Sequence, residues 1–319
     1  MRAVVVDPSS EGRLILKEVP PPEALPAEAV VRVAALSLNR GEVRRAMAAE
    51  AGWRPGWDLA GTVAVAAANG TSPAAGTRVV GLLGAGAWAE TVAVPANALA
   101  VLPEGVSFAQ ASTLPVAGLT ALYALAKGGD LLARPVLITG ASGGVGHFAV
   151  QLARQAGAHV VGLVHQERHA AFVAAAGAHA IVVTADGKEA AAHGPYHLIL
   201  DSVGGATLGS VLAQLDERGT CVSFGVSAGP EATFDVRRFF GTGGCTLYGF
   251  ILFHEIEAAP AANGLARLAQ MVADGRLTPH IDVEAPWSDV AQVAQSLLER
   301  RYPGKAVLHL DSSSAILGV

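Results

Sequence analysis

The chain has 319 residues, 51% of them hydrophobic and 15% charged, with a formal net charge of −5, which suits two domains with cores of their own and gives no electrostatic case for nucleic acid or an anionic membrane. No run of about 18 apolar residues lacks charges and strand breakers, and the opening MRAVVVDPSS lacks the apolar core of a secretory signal. Cys221 and Cys245 are the only cysteines, which excludes a disulfide framework and fits a reducing cytoplasm.

Residues 1–110 read as β-rich, with short strands over 4–7, 14–19, 29–35, 61–66, 78–82 and 90–94 set apart by Pro and Gly clusters. Near Ser107 the pattern changes: 108–126 is rich in Ala and Leu and reads as two helical pieces interrupted at Pro115 and Gly118. Beyond Arg134 strands and helices alternate. Strands are predicted over 136–139, 159–164, 180–184, 198–201 and 220–224, and helices over 145–156, 167–176 and 206–214. That alternation predicts a parallel sheet covered by helices on both faces. The apolar stretch 245–252 reads as one more strand; helices over 261–274 and 288–300 and a strand over 305–310 follow.

The sharpest local signal is Val136-Leu-Ile-Thr-Gly140-Ala-Ser-Gly143-Gly-Val-Gly146, an apolar strand running into a glycine-rich turn that opens a helix. A dinucleotide loop needs very small residues for the tight turn, for backbone approach to the pyrophosphate and for helix–strand packing. Those places fall on Ala141, Gly143 and Gly146, so the first glycine of the strict fingerprint is replaced. Backbone N–H groups of Ser142, Gly144 and Val145 would join them at the positive end of the helix. An acid about 20 residues further would bond the ribose hydroxyls of NAD. Here the strand 159–164 ends without one, and His165, Gln166, Glu167, Arg168 and His169 follow. Arg168 with His165 or His169 suits a 2′-phosphate and therefore NADPH; Glu167, read as a displaced acid, is the competing choice.

Several further segments resemble the zinc-independent, quinone oxidoreductase-like branch of the medium-chain dehydrogenases, over nearly the whole chain. They are Leu38-Asn39-Arg-Gly-Glu42, Gly56-Trp-Asp-Leu-Ala-Gly61, Ala87-Trp-Ala-Glu90 with Val92-Ala-Val-Pro95, Pro115-Val-Ala-Gly-Leu-Thr120-Ala, Asp201-Ser-Val-Gly204-Gly, Phe224-Gly225 and Tyr302-Pro-Gly-Lys305-Ala-Val-Leu. The resemblance implies an α/β fold: a doubly wound parallel Rossmann sheet at 113–245, and a β-rich GroES-like catalytic domain from 1–112 and 246–319. The active site is expected in the cleft between them. It also implies cofactor contacts from Asn39, Thr120, Val203, Phe224, Gly225, Phe250 and Lys305.

Zinc-dependent relatives hold the metal with cysteine, histidine and a further ligand. Their first cysteine falls on Ser37 here, and the histidine and glutamate of their G-H-E fall on Trp57 and Asp58; the four-cysteine lobe is missing. No metal is expected, and without a Lewis acid the favoured substrate is a conjugated acceptor rather than an alcohol. Asn39 and Arg44 are the catalytic candidates: Asn39 as a polar group at the cleft, Arg44 in the place where many relatives carry tyrosine. Arg45 is an alternative to Arg44. Trp53, Trp57, Trp88 and Phe250 suggest an apolar substrate wall, and packing explains the tryptophans equally well. The expected function is NADPH-dependent reduction of a quinone or α,β-unsaturated carbonyl, in a cytoplasmic homodimer without nucleic-acid or membrane partners. Enoyl-thioester reduction in specialised-metabolite biosynthesis, and an NADPH-binding sensor or structural protein of low turnover, are the competing readings.

Overall fold

The computed structural model describes residues 1–310. The chain forms two compact units, one from Met1–Leu119 and the chain from Ile256 onward, the other from Thr120–Glu255.

The first unit opens with β1 (Arg2–Val6) paired antiparallel with β2 (Leu14–Glu18). Strand β3 (Glu28–Ser37) runs into helix α1 (Arg40–Ala48), followed by β4 (Asp58–Val65), β5 (Arg78–Leu82), β6 (Thr91–Pro95), β7 (Leu99–Val101) and α2 (Phe108–Ser112). In β3 the side chains of Ala29, Val31 and Val33 turn inward while Arg32 faces solvent, the period-two pattern of a sheet with one face on a core. Helix α1 was not expected from hydrophobic periodicity. Glu42 starts it, reaching back to accept the Asn39 backbone N–H at 2.6 Å, as in a capping box.

Residues 108–126 contain α2, a π-helical turn at Leu114–Gly118 and α3 (Leu119–Ala126). The interruption read from Pro115 and Gly118 is thus a widened turn, since Pro115 has no N–H to keep the helical ladder intact.

The second unit holds β8 (Pro135–Thr139), α4 (Gly144–Gln155), β9 (His159–Val164), α5 (Ala170–Ala175), β10 (Ala180–Val183), β11 (Tyr196–Asp201), α6 (Gly205–Leu212), β12 (Leu215–Ser223), α7 (Val236–Thr242) and β13 (Thr246–Gly249). All six strands pair in parallel, in the order β10-β9-β8-β11-β12-β13. Buried runs such as Val136–Ile138 and Leu198–Leu200 are apolar on both faces, as a helix-covered parallel sheet requires. Strand order reverses between β8 and β11, and ligands of doubly wound sheets bind beyond the carboxyl ends at such a reversal.

The stretch 245–252 is not one continuous strand. Its ladder ends where Gly249 pairs with Ser223, the last residue of β12; Phe250 turns inward and α8 (Leu252–Ala258) begins. Helix α9 (Ala261–Ala273), β14 (Ile281–Pro286), α10 (Val290–Leu298) and β15 (Lys305–His309) then return to the first unit, whose sheet runs β14-β15-β3-β4-β5-β7 with β6 also on β3. Val31, Leu36, Leu59, Trp88, Trp287 and Leu308 lie in the core of that unit. Among the described residues no helix is long and apolar enough to cross a membrane.

Candidate active site

In the second unit the glycine turn follows β8 at the strand-order reversal. Gly140, not Ala141, takes the left-handed conformation, at φ +60°, and a Cβ there would lie 2.4 Å from Ser202 Oγ. Ala141 is fully buried, with room for its methyl. A Cβ on Gly146 would meet the Gly140 carbonyl oxygen at 2.3 Å, so α4 sits closer to the turn than any side chain permits. Gly143 is exposed, and its Cβ would meet the same oxygen at 3.3 Å. The first intrahelical bond of α4 runs from His147 N–H to Gly143 O at 2.9 Å, which leaves the N–H groups of Gly144, Val145 and Gly146 ahead of it. A cradle of backbone donors at a helix N-terminus fits a dinucleotide pyrophosphate.

His165, Arg168 and His169, then Val203, then Phe224 and Gly225, and then Phe250 follow the carboxyl ends of β9, β11, β12 and β13. His165 and Arg168 are exposed past the end of β9, and Arg168 Nε lies 3.4 Å from His169 Nε2. Burial, and then the Arg168 charge, lower the His169 pKa. Glu167 is also exposed, in the same turn. Buried Asp201 closes β11 by accepting from the Thr139 hydroxyl at 2.7 Å and the N–H groups of Gly204 and Val203 at 3.0 and 3.3 Å. Burial raises its pKa, and those three bonds oppose the rise. Asp201 thereby fixes the loop carrying Val203 against β8, beside the turn. Phe224 and Gly225 follow β12, and the Phe224 ring meets buried Phe250 edge-on, with centroids 6.3 Å apart. Thr120 is buried in the first turn of α3.

In the first unit, Asn39 and Lys305 belong to a buried polar cluster. Lys305, 3% exposed, donates to Leu38 O at 2.9 Å and Asn39 Oδ1 at 2.6 Å, and lies 3.4 Å from Asp58 Oδ2. Asn39 Nδ2 donates to Asp58 Oδ2 at 2.7 Å and to Glu42 Oε1 at 3.0 Å. Asp58 also accepts from the Ser37 hydroxyl at 2.6 Å and from Val116 N–H, in the π-helical turn, at 2.9 Å. Glu42 Oε2 accepts from Trp57 N–H at 2.7 Å. Burial first, then Asp58, push the Glu42 pKa well above its ordinary value; Lys305 and the bonds from Asn39 pull the other way. Lys305 has its three donors engaged and so acts through Asn39. The Asn39 amide has both N–H groups engaged and retains one lone pair, so it can accept a further hydrogen bond but not donate one.

Sequence reasoning treated Ser37, Trp57 and Asp58 as lost metal ligands and missed that Ser37, Glu42 and Asp58 form the frame around Asn39. The Asn39-x-x-Glu42 capping spacing was the available signal. Arg44 is exposed on α1, and Arg45 lies over the Trp53 ring, 5.1 Å from its centroid. Trp57 is half-buried, with its indole N–H donating to Gly84 O at 3.0 Å, whereas Trp88 is fully buried in the core. Among the described residues no group of three or more His, Cys, Asp and Glu is placed to hold a metal ion.

Two family models match the chain: the alcohol dehydrogenase GroES-like domain over residues 25–104 and the zinc-binding dehydrogenase over 144–267. The chloroplast envelope quinone oxidoreductase homolog of Arabidopsis thaliana is 28% identical over 313 residues, covering 91% of this chain and 92% of that protein. A mycobacterial protein, Rv1454c, solved in complex with NADPH superposes with a TM-score of 0.87 at 26% identity, over 97% of this chain and 100% of that one. The quinone oxidoreductase of Coxiella burnetii superposes at 0.83 with 26% identity, over 98% and 99%. The two matched domains, in that order along the chain, and these whole-length likenesses establish that the chain belongs to the quinone oxidoreductase-like branch of the medium-chain dehydrogenase/reductase family.

Proposed function

We propose that this protein is an NADPH-dependent oxidoreductase that delivers hydride to a quinone or an α,β-unsaturated carbonyl without zinc. The glycine turn after β8 carries the reading: Gly140 and Gly146 clear the space and α4 offers Gly144, Val145 and Gly146 N–H groups to a pyrophosphate. Ser142 and Gly143 complete that contact. Arg168 and His165 meet the 2′-phosphate, with His169 beside them; Val203, Phe224, Gly225, Phe250 and Thr120 line the dinucleotide. The mycobacterial neighbour solved with NADPH supports this choice of cofactor.

Bound NADPH supplies the hydride. The chain orients and polarises. Asn39, held by Lys305, Asp58 and Glu42, offers one acceptor to a ribose or substrate hydroxyl, while Arg44 is the nearby cation for an oxygen-rich acceptor. The place of a metal is taken by a different charge arrangement, because Ser37 is bound to Asp58 and the Lys305 ammonium already stands beside that carboxylate. A second cation there would be repelled. A conjugated acceptor suits such a site, since its developing negative charge spreads onto oxygen and a proton from water completes the reduction.

A substrate panel tests the reading: a benzoquinone, a polycyclic quinone, an enone and, with NADP⁺, a primary alcohol. NADPH oxidation by a quinone or the enone, unaffected by a chelator, is expected. Turnover of the alcohol alone, or loss of turnover on metal removal, would overturn it.

A further inference from the structure

Arg54 lies in the first unit, four residues before Asp58, and takes no part in the hydrogen bonds of the cluster around Asn39. Its side chain is half-buried and its Nε is fully enclosed without a hydrogen-bond partner. Among the described residues its guanidinium forms no hydrogen bond, ion pair or ring contact. Burial depresses its pKa and no carboxylate offsets the effect. Arg13, which also has an enclosed Nε, at least donates from Nη2 to Ala49 O at 2.9 Å. A guanidinium taken partly out of water without an acceptor is costly, and buried donors in native proteins nearly always find partners.

The backbone around Arg54 is pinned residue by residue. Trp53 O accepts from Val6 N–H at 2.9 Å, Pro55 O from Trp88 N–H at 3.3 Å and Gly56 O from Ala87 N–H at 3.1 Å, while Trp57 N–H binds Glu42. The neighbouring charge is also positive, for Arg45 lies over the Trp53 ring. A fixed segment thus presents an unpaired fork of N–H donors, flanked in sequence by two half-buried indoles, Trp53 and Trp57. A planar carboxylate matches that fork through two parallel bonds.

We propose that Arg54 binds a carboxylate on the substrate, so that the preferred acceptor is an acidic conjugated carbonyl compound rather than a neutral one. The substrate class rests on the hydride-transfer reading above; the anion site does not.

Two measurements separate these. In the first, 4-oxopent-2-enoate, an enone bearing a carboxylate, is compared with its neutral amide as acceptor. Wild-type kcat/KM should favour the acid about ten- to a hundred-fold, the worth of a charge-assisted bond. Arg54→Met should erase that ratio by raising KM for the acid and leave the amide within about twofold, and Arg54→Lys should restore part of it. No preference in the wild type, or equal loss on both acceptors, overturns the proposal. The second measurement needs no turnover: calorimetric binding of the saturated acid 4-oxopentanoate, its amide and inorganic phosphate. Tighter binding of the acid than of the amide, lost in Arg54→Met, supports the site even if neither enone is reduced, in which case the reaction reading fails alone. Equal binding of acid and amide, or competition by inorganic phosphate without binding of the acid, overturns it.

Discussion

Lys305 Nζ donates to Asn39 Oδ1 at 2.6 Å, and this bond settles which way round the Asn39 amide stands. With its oxygen toward an ammonium, its nitrogen must face the two carboxylates, Glu42 and Asp58, as it does. The residue expected at the heart of the site is therefore an acceptor, oriented by a lysine that reaches no further. Strand β15 contributes the lysine, the N-cap of α1 the asparagine and the start of β4 the aspartate, so the local architecture of the first unit is tied through one buried cation.

Removing that cation should be severe. Lys305→Met leaves Asp58 buried with one partner fewer and frees the Asn39 amide to turn. Breaking a buried pair costs about 3–5 kcal/mol. Chemical denaturation should show a loss of that order, and Lys305→Met should reduce kcat in whatever fraction stays folded. A variant as stable as the wild type would place the lysine outside the frame.

The Glu42 carboxyl gives the fold a pH signature. Its folded pKa lies well above the ordinary 4.5, so between the unfolded value and the raised one the folded state holds a proton that the unfolded state has lost. Stability then falls as pH rises through that window. Glu42→Gln, which does not titrate, should lack this component, and the stability difference between variant and wild type should move in the variant's favour from about pH 5 upward. Parallel stability–pH curves would mean that Glu42 is ionised throughout.

Much of this architecture was legible in the sequence. The alternation after Arg134 gave the parallel strands because buried sheets need continuous apolar runs, and the glycine turn stood out because few structures need so many small residues together. Helix α1 escaped notice because capping by Asn39 and Glu42, not hydrophobic periodicity, marks its start. β14 was missed because Ile281, Val283 and Ala285 are only partly buried and alternate with exposed residues at the edge of its sheet. The fingerprint spacing puts the tight-turn place on Ala141, whereas the left-handed residue is its neighbour Gly140; a sequence does not display the sign of φ. The partnerless state of Arg54 carries no sequence signal at all, since it is defined by what three-dimensional neighbours fail to provide.

A homodimer formed through β13 is the proposed assembly. Strand β13 is the last in its sheet, with Leu247 42% exposed on it, and an open edge invites pairing. Its inner side is secured by Tyr248, whose hydroxyl donates to Glu255 at 2.6 Å. Leu247→Lys should give a monomer by light scattering at micromolar concentration while the wild type gives a dimer. A monomeric wild type would rule this assembly out.

Cofactor choice should rest on Arg168. NADPH is expected to bind more tightly than NADH, and Arg168→Ala should weaken NADPH binding about tenfold or more while barely changing NADH. Tighter NADH binding by the wild type would transfer the role to Glu167, the acid in the same turn.

Two glycines of the cradle should respond differently to the same added methyl. At Gly146 a Cβ would stand 2.3 Å from the Gly140 carbonyl oxygen and 2.7 Å from Ala141 Cα, both backbone atoms that cannot turn aside. Gly146→Ala must displace α4 from the turn, and overpacking of this kind costs about 1–3 kcal/mol. It should lower both thermal stability and NADPH affinity. At Gly143 the Cβ would meet only the Gly140 oxygen, at 3.3 Å, and the residue is exposed. Gly143→Ala should therefore fold with nearly wild-type stability. It should still weaken NADPH binding, because the methyl projects where the pyrophosphate must approach the backbone. Paired melting curves and NADPH titrations of the two variants check this. If Gly143→Ala binds NADPH as the wild type does, the pyrophosphate does not lie against this turn, and the dinucleotide would have to be placed elsewhere along the sheet's carboxyl edge.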